Sequence, residues 1–281
     1  MILFNNINEV INVGQLPINS LINADCLDAM KYIEDKSIDM ILCDLPYGWG
    51  TTACKWDVII PFDLLWIQYK RIIKDNGAIV LTASQPFTSA LVMSNPKMFK
   101  YEWIWEKHQG TNPMSAKISP LKSHENVLVF STKTTKYNPQ MESGKPYSGF
   151  NSDKFQSEVY GGGKSVHRDN KEGTRYPKTV IKFTKDKGKR LHTNQKPVAL
   201  FEYLIKTYTN EGDLVLDNCA GSGTTIVAAT NTNRNYICIE KEKKYYDIII
   251  ERINDRNNSV VTKVNTQEDE TGINWLHKKR Y

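Results

Sequence analysis

Val215-Leu216-Asp217-Asn218-Cys219-Ala220-Gly221-Ser222-Gly223-Thr224-Thr225 is the stretch on which the fold turns. An apolar run ends in an acid, passes through a Gly-x-Gly turn and opens into helix-forming residues. Glycine supplies the positive φ of a sharp strand-to-helix turn and lets a ligand approach the main chain. The helix N-terminus beyond it offers unpaired N–H groups. A plain β-turn would use the same residues, and three ligand classes compete with it. A phosphate-binding loop needs Gly-Lys-Ser/Thr, and no lysine follows Gly223. A dinucleotide fingerprint wants a third glycine where this chain has Ile226. An S-adenosylmethionine site needs close backbone approach and an acid for the ribose hydroxyls. Glu240, just past the apolar run Asn235–Ile239, fits that role.

Outward from this turn, apolar runs alternate with amphipathic stretches. Ile38–Cys43, Gly77–Ala83, Tyr101–Trp105, Asn126–Phe130 and Asp213–Leu216 read as strands. Pro61–Lys74, Gln85–Ser94, Val198–Thr209, Thr224–Thr230 and Lys243–Ile253 read as helices. The alternation predicts an α/β fold: a doubly wound, mostly parallel, Rossmann-like sheet with an inserted region. A catalytic half spans 19–131, a basic insert 132–190, a cofactor half 191–253 and a peripheral tail 254–281.

The insert breaks the pattern. It is rich in Gly, Lys, Ser and Asn, holds Gly161-Gly162-Gly163, and reads as a linker or mobile insertion whose aromatics allow it to order on a partner. Between Ser131 and Leu200 there are 15 Lys+Arg against 6 Asp+Glu, whereas the whole chain is only +6. All the positive excess therefore lies in one stretch, as a phosphate-binding surface requires. The five cysteines form no C-x-x-C pair and the histidines share no ligand spacing, so neither a disulfide framework nor a metal site is expected. No apolar run reaches membrane-spanning length. These features point to a cytoplasmic setting, with no membrane partner.

Asp44-Leu45-Pro46-Tyr47 follows the strand Ile38–Cys43. Ligand crevices in open α/β sheets lie at the carboxyl ends of strands, so Asp44 and Asp217 should share one. The residue types suit chemistry on an amine conjugated to a heteroaromatic ring. Its lone pair is delocalised, and accepting hydrogen bonds from both N–H groups frees it. The Asp44 side chain and the carbonyl of Leu45 supply two acceptors, Pro46 stiffens the loop, and Tyr47 offers a face on which an extruded base can stack.

Together the two motifs resemble the DNA amino-methyltransferases, which methylate adenine N6 or cytosine N4. The family's Asp/Asn/Ser-Pro-Pro-Tyr motif corresponds to Asp44–Tyr47, and its glycine motif to Asp217–Thr225; catalytic motif first and cofactor motif last is the family's β-group order. The resemblance implies S-adenosylmethionine as cofactor. It implies contacts from Asp25 and Cys26 to the cofactor's adenine, and from Asp44, Lys196, Asp217, Ala220, Gly221, Ser222, Gly223, Thr224, Thr225 and Glu240 around the rest. His192–Pro197, containing Lys196, resembles the segment bordering that pocket. Trp105-Glu106-Lys107 and His124-Glu125-Asn126 resemble segments flanking target recognition. The family's target-recognition insert falls at the basic zone. Lys107, His124, Lys164, Arg168, Arg175, Lys185, Lys187, Lys189 and Arg190 are thus expected to contact double-stranded DNA. Two departures stand out: Leu45 replaces a proline, and Asn218-Cys219 replace a Pro-Phe pair.

An Asp at the first motif position favours adenine N6 as the target; cytosine N4, more often served by Ser there, is the alternative. RNA or protein amine methylation fits less well with the motif order. A non-catalytic DNA-binding protein on the same scaffold would have no reason to keep Asp44, Tyr47, Asp217 and Glu240. A homodimer and a cognate restriction enzyme stay open as partners.

Overall fold

The computed structural model describes residues 1–49, 54–150, 167–186 and 195–256. Strands β1 (Ile2–Phe4), β2 (Ser20–Asn23), β3 (Ile38–Asp44), β4 (Ile73–Ala83), β5 (Phe99–Thr111), β6 (Lys122–Phe130), β11 (Val180–Phe183), β12 (Leu214–Asp217) and β13 (Asn235–Glu240) form one nine-stranded sheet. Two small antiparallel pairs stand apart: β7 (Glu142–Ser143) with β10 (Thr174–Arg175), and β8 (Tyr147–Phe150) with β9 (His167–Asn170). The helices are α1 (Ile7–Val13), α2 (Cys26–Ala29), α3 (Phe62–Ile72), α4 (Phe87–Ser94), α5 (Val198–Tyr208), α6 (Thr224–Asn231) and α7, residues 243–256.

The large sheet runs β1-β2-β13-β12-β3-β4-β6-β5-β11, parallel throughout except at β6, which is antiparallel to both its neighbours. Near-continuous apolar runs in the central strands, with successive side chains pointing to opposite faces, explain burial on both faces. Ile41 and Cys43 face one core with Ile79, Leu81, Leu128 and residues of α3 and α4. Met40 and Leu42 face the other with Val80, Val127, Val129 and residues of α5, α6 and α7. The doubly wound α/β expectation is met. No helix among the described residues is long and apolar enough to cross a membrane.

Several expected boundaries shift for local reasons. The sheet begins before residue 19. β1 pairs in parallel with β2, and α1 is capped by Asn6, whose Oδ1 accepts from the N–H groups of Asn8 and Glu9. β4 starts at Ile73, without a loop after α3. Gly77 makes its passage beside β3 feasible, since a Cβ there would lie 2.8 Å from the Asp39 carbonyl oxygen. β5 and β6 run well past their apolar halves into a long polar hairpin. The zone 132–190 is also not simply a linker. β11 completes the sheet edge beside β5, and the Asn138 N–H donates to the Thr207 carbonyl at 2.7 Å. The triple glycine 161–163 and the tail beyond residue 256 lie outside the described residues.

Candidate active site

β12 and β3 are sheet neighbours although far apart in sequence, so the chain reverses its winding between them. Asp217 and Asp44 end these two strands, and Glu240 ends β13 alongside. A cleft of about 690 Å³ opens at this edge, within the range of small-ligand sites. Its lining runs from Asp25 and Glu240, past Asp217 and Gly221, to Asp44, Tyr47 and Glu125.

At the Asp44 end, both carboxylate oxygens are engaged. Tyr47 Oη donates to Oδ1 at 2.9 Å, and the Thr82 hydroxyl donates to the same oxygen. Strand register explains the second bond, because Asp44 on β3 pairs with Thr82 on β4. Lys196 Nζ sits 2.5 Å from Oδ2. Leu45 is buried and Pro46 lines the cleft. The Tyr47 ring stacks on Phe87, centroids 5.1 Å apart. Burial, with the nearby Asp44 and Glu125 charges, raises its phenol well above the usual range.

Lys196, expected at the cofactor border, lines the cleft, and its ammonium reaches Asp44 and Glu125 Oε2 at 3.4 Å. Lys107 was expected on phosphates, but it is turned inward. Its Nζ lies 2.5 Å from Glu125 Oε1 and 5.4 Å from the centre of the Trp105 ring, and its side chain is only 9% exposed. The reason is register: β5–β6 pairing sets Trp105 opposite Glu125, and Lys107 follows on the same face. Two acids and two lysines thus form one compact neutral cluster. Burial opposes charge on Glu125, yet Lys196 and Lys107 outweigh it and hold the carboxyl below its usual value. Burial likewise opposes charge on Lys196, and Asp44 and Glu125 more than compensate.

At the other end, Asp217 Oδ1 accepts from the Cys219 N–H at 3.0 Å and Oδ2 from the Thr225 hydroxyl. Burial pushes its carboxyl up to about 6. Glu240 Oε2 accepts from the Gly221 N–H at 2.7 Å and Oε1 from the Glu242 N–H at 2.8 Å; burial pushes it to about 7. Asp25 Oδ1 caps α2 by accepting from the Leu27 N–H, and its Oδ2 faces Lys241. Ala220, Gly221, Ser222 and Thr224 line the cleft, as do Asp25 and Cys26. Gly223 and Thr225 do not: a Cβ on Gly223 would meet Ile249 of α7 at 2.9 Å, and Thr225 is spent on Asp217.

The expected DNA contacts divide. Lys185 is exposed and lines the cleft, while Arg168 on β9 and His124 on β6 are exposed away from it. Arg175 is engaged structurally, its guanidinium 4.7 Å over the Tyr147 ring and donating to the carbonyls of Thr174 and Lys145. Lys164, Lys187, Lys189 and Arg190 lie outside the described residues. Among the described residues no group of three or more His, Cys, Asp or Glu could hold a metal ion.

Residues 38–251 match the DNA methylase family whose members act at N6 or N4 positions. The chain belongs to this family. Similar curated DNA methylases include the Type II methyltransferase M.HpaI of Haemophilus parainfluenzae, 29% identical over 250 residues that cover 83% of this chain and 73% of that one. Another is the Type II methyltransferase M.HinfI of Haemophilus influenzae, 27% identical over 84% of this chain and 68% of that one. Among solved structures, the M1.HpyAVI–SAM complex superposes with a TM-score of 0.57 at 26% identity, covering 83% of this chain and 98% of that one. The PvuII DNA methyltransferase, described as cytosine-N4-specific, shares the fold at TM-score 0.59 and 14% identity, over 88% and 94% of the two chains.

Within this DNA methylase, sequence reasoning missed Thr82 and the pairing of Glu125 with Lys107 and Lys196. Thr82 lies in the run GAIVLTA, whose strand β4 pairs with β3, and that was the available signal; Glu125 was named only within a flanking segment, and Lys107 was expected on DNA rather than on Glu125. The departure at Cys219 also finds an account. Its thiol meets those of Cys26 and Cys43 in the packing where the family's phenylalanine is usual. Its hydrogen bond with Cys26, together with burial, drives the Cys26 thiol far above its ordinary range. Asn218 is pinned by Tyr69, whose hydroxyl donates to its Oδ1 at 2.6 Å.

Proposed function

We propose that this DNA methylase transfers a methyl group from S-adenosylmethionine to adenine N6 of a base turned out of duplex DNA. The observation that carries the reading is the placement of Asp44 in one cleft with Asp217, Gly221 and Glu240. The residues present fit the cofactor. Gly221 has φ +56, and a Cβ built on it meets nothing nearer than the Cys219 carbonyl oxygen at 4.0 Å, so its backbone faces open space. Each Glu240 oxygen spends one acceptor position on a backbone N–H and keeps another for a hydroxyl donor. Asp25 and Cys26 would hold the adenine end, Glu240 the ribose, and the turn from Asp217 to Thr224 the methionine end.

When bound, S-adenosylmethionine supplies an electrophilic methyl group on a sulfonium. The protein's part is to prepare the acceptor. Tyr47, Thr82 and Lys196 fix the Asp44 carboxylate, and Oδ2, with Lys196 as its single donor, keeps a lone pair for an amine N–H. The Leu45 carbonyl is the second acceptor, and drawing on both N–H groups frees the nitrogen lone pair. Tyr47, itself braced by Phe87, stacks on the base. Alignment of donor and acceptor then lowers the barrier with no covalent enzyme intermediate.

Incubation of duplex DNA with enzyme and labelled cofactor, followed by nucleoside mass spectrometry, should find label in N6-methyladenine. Label in N4-methylcytosine alone would overturn the adenine assignment while keeping amine transfer; absence of label from DNA would overturn the function.

A further inference from the structure

Met114 and Ile118 are the two most exposed large apolar side chains among the described residues, 96% and 87% accessible. Both belong to the turn joining β5 to β6. The turn has a defined shape. Asn112 takes φ +67, Pro113–Ser115 form a 3₁₀ turn, and the N–H groups of Ala116, Ile118 and Ser119 donate back to the carbonyls of Pro113 and Ser115. At its base the Thr111 hydroxyl donates to the Lys122 carbonyl at 3.0 Å, and the register shifts between Glu106 and Thr111. A shift of this kind bends a hairpin and aims its tip. Thr111 and Lys122 are also part of the cleft lining, beside Lys107 and Glu125. The lobe is therefore a locally hydrogen-bonded extension of the cleft wall.

Turns normally carry polar residues with local hydrogen-bonding roles. This one carries Met114 and Ile118 almost wholly in water, with Leu121 half exposed at its base. From His108 to Lys122 it contains Lys117, Lys122, one histidine and no acid. Charge and continuity with the cleft select a polyanion as the occupant of this surface. Apolar tips on a basic lobe match the way proteins wedge Ile or Met between base steps. A base that leaves the stack opens a gap beside its former neighbours, and extrusion costs unstacking and unpairing energy that is least where the target pair is already weakened.

We propose that the lobe is a wedge on duplex DNA, with Met114 and Ile118 filling the gap left by the target base while that base occupies the cleft. This rests on the base-extruding function proposed above. The test is single-turnover methylation by an M114A/I118A variant and an M114L/I118L variant. Each is assayed on a duplex with a normal target pair and on one with the target base mismatched, the target sequence being read first from DNA methylated by the unaltered enzyme. The alanine variant should be slower by about tenfold or more on the matched duplex and close to the unaltered enzyme on the mismatched one. S-adenosylmethionine affinity should not change, and the leucine variant should recover most of the rate. Equal rates on matched DNA would overturn the wedge and leave the lobe as a surface for a protein partner. Equal loss on both duplexes would also overturn it, placing the side chains in general DNA binding. If the unaltered enzyme labels no base in DNA, the function itself fails and the wedge falls with it.

Discussion

Asp44 is held by three side chains from three parts of the chain: Tyr47, Thr82 and Lys196. That degree of fixation suits an acceptor whose direction matters. Asp44→Ala should lower turnover by at least about a hundredfold, the scale of losing one preorganised polar group in an active site. Cofactor affinity, measured by calorimetry, should stay near that of the unaltered enzyme, because Asp217, Gly221 and Glu240 are untouched. Near-normal turnover would sink the acceptor role. The Glu125 cluster gives a second test at this scale. Glu125→Gln strands Lys107 without its partner carboxylate and should cost about 3 kcal/mol in chemical denaturation. Adding Lys107→Met should return part of that loss, since Lys196 keeps Asp44; additive losses would show that the cluster is not coupled. Asp44, Tyr47, Asp217 and Glu240 were legible in the sequence because the chemistry demands those residue types just past apolar strands. Lys107 and Glu125 were not, because their meeting depends on the register of two strands.

For the elements, the glycine turn shows how one motif serves two purposes. Gly221 and Gly223 both have positive φ, +56 and +76, but only Gly221 faces the cleft. Gly223 lets α7 close on the start of α6, since a Cβ there would press on Ile249 at 2.9 Å. Either replacement by Ala carries the left-handed strain of about 1 kcal/mol. Gly223→Ala adds a packing clash, so it should lower the melting temperature more. Gly221→Ala should instead weaken S-adenosylmethionine binding more. Thermal melts and calorimetry on both variants check this, and an identical pair of profiles would refute the division. Most parallel strands were legible from short β-branched runs. The hairpin β5–β6 was half legible, because its outer residues alternate without apolar character and read as loop. β1 and α1 escaped notice although Asn6 and Glu9 form a recognisable cap, in which Glu9 Oε2 also accepts from the Asn5 N–H.

Across the whole molecule, charge is distributed unevenly in two ways, each with a measurable consequence. The basic excess of the middle zone was visible in the sequence, but the fold pairs Lys136 with Asp213 and sets Arg175 over Tyr147, so composition overstates the number of cations left facing outward. Arg168→Glu with Lys185→Glu should weaken DNA binding and lower the salt slope of log affinity by about two. An unaltered slope would make those residues bystanders. The second asymmetry is acidic and buried. Burial raises Asp217 from its ordinary 3.8 to about 6 and Glu240 from 4.5 to about 7. Between those values the folded protein holds protons that the unfolded chain has released. Their contribution to stability is therefore complete below the ordinary carboxylate values and is lost as pH rises toward about 7. Glu125, held low by its two lysines, contributes in the opposite sense, with stability lost as pH falls, so the raw pH profile mixes both signs. A difference measurement separates them. Glu240→Gln removes one titration and keeps the shape of the side chain, so its melting temperature relative to the unaltered protein should climb from about pH 5 to about pH 8 and level off beyond. The same ionisation prepares Glu240 to accept hydroxyl donors. S-adenosylmethionine affinity should accordingly rise with pH across that interval in the unaltered protein and be flatter in the variant. A melting difference independent of pH would mean that Glu240 is already ionised in the folded protein well below neutrality, and the steeper cofactor dependence should then vanish with it.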